Sequence, residues 1–300
     1  MMRFSVFQVS RRGGRSINED RMGYCYTRES AVFVLADGLG GHPEGEVAAQ
    51  LALQGVVSLF QKMALPKLTD ITGFLTDAVL VAHRKILHYA ATKAMLDTPR
   101  TTLVLAVVQS GSVTWAHCGD SRLYMVRRGE LLTRTRDHSF LEQPQAGGPE
   151  CNNRNVLFTC LGSPAKPVFN ITGPMALMQG DKVLLCSDGL WAPLTEDKIV
   201  SNLSHKTVDI AVPDLVEQAL RQAGSRSDNV TCLALEWETP DGFEPTCNTI
   251  TTDTILDGAF ESSVLSGQQD ASLDDLDEAA IERSIAEINE AIRRTAEKNL

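Results

Sequence analysis

The order of elements written into the chain predicts an α+β fold, a four-layer α-β-β-α sandwich with two central, mainly antiparallel sheets flanked by helices. Three observations predict it. Strand-length runs of β-branched and aromatic residues open and close the first 238 residues, two helical pairs interrupt them, and the mid-chain connections are too short for the crossover helices that parallel strands need. With 300 residues, 43% hydrophobic and 22% charged, the chain is long enough to bury a sizeable core and too apolar for wholesale disorder.

Residues 3–9, 22–27 and 31–36 read as strands separated by Gly, Asn and Asp. The period then changes. Over residues 44–61, Val47, Leu51, Leu53, Val56, Val57 and Phe60 form a helical apolar face, and a second helix is expected between residues 69 and 95. Residues 102–109, 113–118, 123–127 and 130–133 are short strands joined by hairpin-type turns at Gln109-Ser110-Gly111-Ser112 and Arg128-Gly129, which predicts an antiparallel meander. Residues 141–155 have almost no apolar period and read as a short surface flap. Strands are expected again at 156–159, 168–172 and 182–186, helices at 195–203 and 213–223, and a last strand at 230–236. Domain organisation follows: a body over 1–238, a polar linker over 239–270 and an acidic amphipathic helix over 271–300.

Charge sharpens that division. The formal net charge is -10, from 38 acidic and 28 basic residues. Residues 239–300 hold 14 of the acidic and 4 of the basic side chains, so the body is formally neutral and the tail carries the imbalance. Nucleic acid is therefore a poor partner. No stretch is long and apolar enough for a membrane span or a signal peptide, and the seven cysteines show no Cys-x-x-Cys spacing. Cys118, Cys186 and Cys232 sit in or beside apolar strand runs and read as reduced packing residues, which together give a cytoplasmic expectation.

The chemical signal is a set of carboxylates at strand ends. Asp37 follows Val32-Phe33-Val34-Leu35-Ala36, and Asp188 follows Val183-Leu184-Leu185-Cys186-Ser187; each is followed at once by Gly, read here as freedom for a tight turn. Asn18-Glu19-Asp20 and Ser227-Asp228-Asn229 supply more carboxylates at element boundaries, and Asp120 joins two strands of the meander. Each piece alone is first of all a turn or a cap. Together they need a reason to coexist, because neighbouring buried carboxylates repel unless a cation neutralises them, and oxygen donors are what Mg²⁺ and Mn²⁺ take.

Arg15-Ser16-Ile17-Asn18-Glu19-Asp20, Ala36-Asp37-Gly38-Leu39-Gly40-Gly41-His42, Gly119-Asp120-Ser121-Arg122, Ser187-Asp188-Gly189-Leu190-Trp191 and Ser227-Asp228-Asn229-Val230-Thr231 resemble, in order and wording, the motifs of the PP2C-class (PPM) metal-dependent serine/threonine protein phosphatases in their bacterial form. The resemblance covers about residues 3–238. It implies that Glu19, Asp37, the carbonyl of Gly38, Asp188 and Asp228 place two Mn²⁺ or Mg²⁺ ions, with Asp37 bridging them. It implies further that Arg15 clamps phosphate, that Asp20 binds metal-coordinated water and that Asp120 helps hold a third ion. The implied reaction is direct hydrolysis of phosphoserine and phosphothreonine in targets of a Ser/Thr kinase, without a phosphoenzyme.

Some positions depart from the family pattern. Leu39 stands where animal members carry a histidine; His42 matches the usual bacterial histidine, and both a proton donor and a loop residue stay open for it. Arg11 and Arg12 stand where relatives often place an acidic residue, and the flap is short. The fold is also compatible with a weakly active phosphoprotein-binding scaffold, which the complete carboxylate set argues against, and with hydrolysis of small phosphate esters. In the tail, Ile281, Ile285, Ile288 and Ile292 form an apolar stripe. Docking on the body, association with a partner or second copy, and a disordered tail all stay open for it.

Overall fold

The computed structural model describes residues 2–139, 156–239, 249–252, 255 and 259–264. The short flap, most of the linker and the whole acidic helix of the expected tail lie outside the described residues.

Twelve described strands build two six-stranded antiparallel sheets. One sheet has the order β11-β1-β10-β9-β6-β7, formed by Thr249–Thr251, Arg3–Arg11, Val230–Trp237, Lys182–Cys186, Arg122–Arg127 and Glu130–Arg134. The other has the order β12-β2-β3-β4-β5-β8, formed by Glu261–Ser262, Arg21–Tyr26, Ser30–Ala36, Leu103–Gln109, Ser112–Cys118 and Asn170–Ala176. Helices α1 (Gly45–Met63) and α2 (Ile71–Thr92) cover the second sheet; the short α3 (Asp188–Trp191), α4 (Glu196–His205) and α5 (Val208–Ala223) cover the first.

Strand periodicity explains the four layers. In β3, Ala31, Phe33 and Leu35 face the other sheet, where they share a core with Phe4, Leu185 and Leu233, while Val32, Val34 and Ala36 face α1 and α2. In β9, Val183 and Leu185 enter the inter-sheet core, and Leu184 and Cys186 pack beneath α4 and α5. Strands buried on both faces carry unbroken apolar runs, as Val32-Phe33-Val34-Leu35 and Val183-Leu184-Leu185 do.

Five expectations need correction. The meander divides: β4 pairs with β5 and β6 with β7, but β5 and β6 belong to different sheets. Gly119-Asp120-Ser121 is thus a crossover between sheets rather than a hairpin. Residues 156–159 form no strand, Leu157 making only an isolated bridge to Ser139. The strand expected at 168–172 is displaced to Asn170–Ala176 and contains Pro174, tolerated because β8 is an edge with one side unpaired. Helix α5 begins at Val208, so Pro213 lies inside it, and the buried stripe Val208, Ala211, Val212, Leu215, Val216 and Ala219 runs past the proline without a break. Finally, the region past residue 239 contributes β11 to the edge beside β1 and β12 to the edge beside β2, where the sequence showed no element.

Candidate active site

The ends of β1, β3, β5, β9 and β10 converge on a cavity of about 450 Å³, lined by Arg15, Glu19, Asp37, Gly38, Asp120, Asp188 and Asp228 among others. The structure thus gathers, from five separate motifs, every metal or phosphate residue that the resemblance implied except Asp20, which lies behind the wall, buried.

Each carboxylate is delivered by a fixed piece of backbone. Thr101 and Thr102 hold Asp37: its carbonyl accepts from the Thr101 hydroxyl and the Thr102 amide, each at 2.8 Å, and its amide donates to Thr102 Oγ1 at 3.2 Å. The Thr102 hydroxyl also meets Ser121 Oγ at 2.7 Å, joining the Asp37 turn to the Asp120 crossover. Ser187 Oγ donates to Asp20 Oδ2 at 2.8 Å and accepts from the Thr231 amide at 3.1 Å, so β9, β10 and the start of β2 share one hydroxyl.

The glycines after Asp37 and Asp188 serve close approach rather than the turn freedom expected from sequence. Neither has positive φ. A Cβ on Gly38 would lie 2.5 Å from the Gly45 backbone and 2.9 Å from Glu19 Cβ, and one on Gly189 would lie 2.0 Å from the Asn229 carbonyl. In both places another segment of the site occupies the space a side chain would need.

Asn229 organises the site, although its residue type and place in the chain point to no particular task. Its Nδ2 donates to the carbonyls of Arg12 at 2.8 Å and Ile17 at 3.0 Å, and its Oδ1 accepts from the Glu19 amide at 2.9 Å. One amide therefore spends both donors and its acceptor on the loop that carries Arg15. Its position beside Asp228 in the motif was the only available signal. Leu157, also in the cavity wall, carried none.

Arg15 Nη2 donates to Asp228 Oδ2 at 2.6 Å, and that bond raises the guanidinium pKa further. With 56% of its side chain exposed, Arg15 keeps other N–H groups accessible to a ligand, and Nη1 lies beside Gly40 of the cavity wall. Arg122 is a structural partner instead: Nε and Nη2 grip Asp137 at 2.8 and 2.7 Å. His42 is not in the wall. Its Nδ1 meets Asp97 Oδ2 at 2.9 Å, tying the 38–42 loop to the segment before β4.

The electrostatics ask for a cation. Burial holds Asp37 and Asp188 well above the ordinary carboxylate range, and their acidic neighbours push the same way. Asp120 is pushed up to about 6, first by burial and then by Asp137. Glu19 and Asp20 are also raised, chiefly by desolvation. Asp20 Oδ1 is buried without a hydrogen-bond partner. An all-oxygen donor set with an orphaned carboxylate oxygen fits hard divalent ions. Among the described residues no three of these groups converge as a ready-made cage.

Known proteins place this architecture. A family profile described as Protein phosphatase 2C matches residues 8–223. The chain is 28% identical over 240 residues to the serine/threonine phosphatase stp of Listeria monocytogenes, covering 77% of this chain and 94% of that one. It is 30% identical over 230 residues to the serine/threonine protein phosphatase PstP of Mycobacterium tuberculosis, covering 74% of this chain but only 42% of that relative's length. The crystal structure of the catalytic domain of PstP in complex with two manganese ions superposes with a TM-score of 0.65 at 30% identity, covering 79% of this chain and all of that one. No described helix is long and apolar enough to cross a membrane. The chain belongs to the protein phosphatase 2C family of metal-dependent serine/threonine phosphatases.

Proposed function

We propose that Glu19, Asp37, the carbonyl of Gly38, Asp188 and Asp228 hold two Mn²⁺ or Mg²⁺ ions, with Asp20 reaching the centre through water and Asp120 contributing to a third site. The observation that carries this reading is one cavity that Glu19, Asp37, Asp120, Asp188 and Asp228 line together, where Glu19, Asp37, Asp120 and Asp188 have raised proton affinities and Arg15 is the one basic side chain among the described lining residues. Bound there, the ions supply Lewis acidity that makes water a stronger nucleophile and draws charge from the phosphoryl oxygens.

The chain's own residues do the positioning. Arg15 offers a planar fork suited to two phosphoryl oxygens, and Asn229 fixes the loop that presents it. Asp228 holds the guanidinium beside the cavity until a phosphate competes for it. Direct attack by water, without a phosphoenzyme, is the reaction we assign to this cavity, whose carboxylates are committed to holding cations. The leaving Ser or Thr oxygen takes its proton from water, because His42 lies outside the cavity lining. We assign the substrates to the targets of a Ser/Thr kinase in the cytoplasm; the five cysteines among the described residues are buried and free, in keeping with a reducing compartment.

Mn²⁺-dependent phosphate release from a phosphothreonine peptide tests the assignment. Asp37→Asn and Asp188→Asn are expected to lower turnover by at least about a hundredfold. Undiminished turnover in both variants would sink it.

A further inference from the structure

The crossover that carries Asp120 is held by a side chain outside the cavity lining. His138 closes two hydrogen bonds on Gly119: the His138 amide donates to the Gly119 carbonyl at 3.0 Å, and the Gly119 amide donates to His138 Nδ1 at 3.2 Å. Because Nδ1 accepts, the ring proton belongs on Nε2, which donates to Asn170 Oδ1 at 2.9 Å. Burial lowers the His138 pKa and so favours that neutral ring. The His117 ring stacks on it at 4.5 Å, and Phe158 packs at 5.4 Å.

The next residue along is gripped from the opposite side. Trp191 Nε1, at the end of the short helix that starts at Asp188, donates to the Asp120 carbonyl at 3.0 Å. Arg122 lies 3.5 Å over the Trp191 ring while it holds Asp137, the residue before His138. The amide and carbonyl before Asp120 and the carbonyl after its Cα are therefore all fixed. Gly119, at φ +107°, adopts a conformation that costs other residues energy, and a Cβ there would lie 2.8 Å from Thr102.

We propose that His138 is a positioning residue for Asp120: its Nδ1 lone pair, oriented through Nε2 by Asn170, sets the crossover so that the Asp120 carboxylate meets the metal centre. The inference rests on the reading that Asp120 serves a cation, and it adds the group that aims it. His138 also links this aim to the substrate side of the cavity, since its carbonyl accepts from the Phe158 amide at 3.0 Å, next to the cavity-lining Leu157.

Two substitutions separate the acceptor role from mere packing. His138→Asn puts an amide oxygen where Nδ1 stood, whereas His138→Gln reaches the Nε2 position and leaves the Gly119 amide without its acceptor. In the metal-free full chain, hydrogen exchange at the Gly119 amide is expected to accelerate in His138→Gln and to stay near wild type in His138→Asn. Calorimetric titration with Mn²⁺ is expected to show the weakest binding event loosened about tenfold in His138→Gln alone. In an Asp120→Ala background, His138→Gln is expected to change Mn²⁺ binding no further.

Equal exchange rates at Gly119 in the two variants would overturn the acceptor role, and additive losses with Asp120→Ala would overturn action through Asp120. Loss of Gly119 protection in His138→Gln with Mn²⁺ binding unchanged would mean that the reading of Asp120 as a cation residue is at fault, and the proposal would fall with it.

Discussion

Arg15 and Asp120 show how single side chains act at this site. In the proposed clamp the Arg15 guanidinium, bonded to Asp228 and largely exposed, would meet phosphate with shape as well as charge, so Arg15→Lys keeps the charge and loses the fork. Phosphopeptide kcat/KM is expected to fall roughly tenfold to a hundredfold in that variant; a wild-type value would refute the clamp. Asp120 reports the cost of an uncompensated cluster. Its folded pKa, pushed up to about 6 from 3.8, means that the folded chain retains a proton that the unfolded chain releases. Its contribution to stability is complete below the unfolded value and is lost as pH rises through the folded one. In chelator-treated protein, urea unfolding is expected to show stability falling between about pH 4 and pH 7, and Asp120→Asn to remove on the order of 1–3 kcal/mol of that fall. An equally steep profile in the variant would contradict this assignment.

At the scale of elements, close approach of backbones builds the site. Gly189 packs on the carbonyl of Asn229, whose side chain organises the Arg15 loop, so one contact joins the Asp188 helix to the Asp228 turn. Gly189→Ala forces these segments apart and is expected to cost about 1–3 kcal/mol in thermal or urea unfolding, with reduced turnover at saturating Mn²⁺. Much of this level was legible in the sequence, because β3 and β9 announce themselves as apolar runs ending in Asp and α1 by its period. What escaped was set by partners distant in the chain. Residues 112–134 alternate like a meander, and local pattern carries no sign that the chain changes sheets at Gly119. Pro213 looks like a helix start because local chemistry favours proline in the first turn, yet burial against the sheet extends the helix back to Val208. The carboxylates were found because a charge at the end of an apolar strand is visible without a partner. Asn229 and His138 were not assigned, since hydrogen bonds to the main chain leave no periodic trace.

Across the whole molecule, the region after the last long strand reinforces the two sheets. Thr249–Thr251 and Glu261–Ser262 each extend one sheet at its edge, Thr252 is fully buried, bonded to the Met2 main chain and the Arg28 carbonyl, and Val264 packs against the core beneath α1. Deleting residues 240–300 is therefore expected to cost about 1–3 kcal/mol in urea unfolding, and Thr252→Ala in the full chain to cost about 1 kcal/mol of it. Undiminished stability of both variants would contradict the edge-strand role. The balanced charge of residues 1–238 is likewise not uniform, since five motifs bring acidic residues to one cavity where they oppose one another. Such a concentration of carboxylates is stable only with cations to offset it, and the number of ions it binds can be counted. Isothermal titration of the metal-free chain with Mn²⁺ is expected to show at least two bound ions, with the tight binding lost in Asp37→Asn. Absence of Mn²⁺ binding in the wild-type chain, or an Asp37→Asn variant that binds as many ions as tightly, would contradict it.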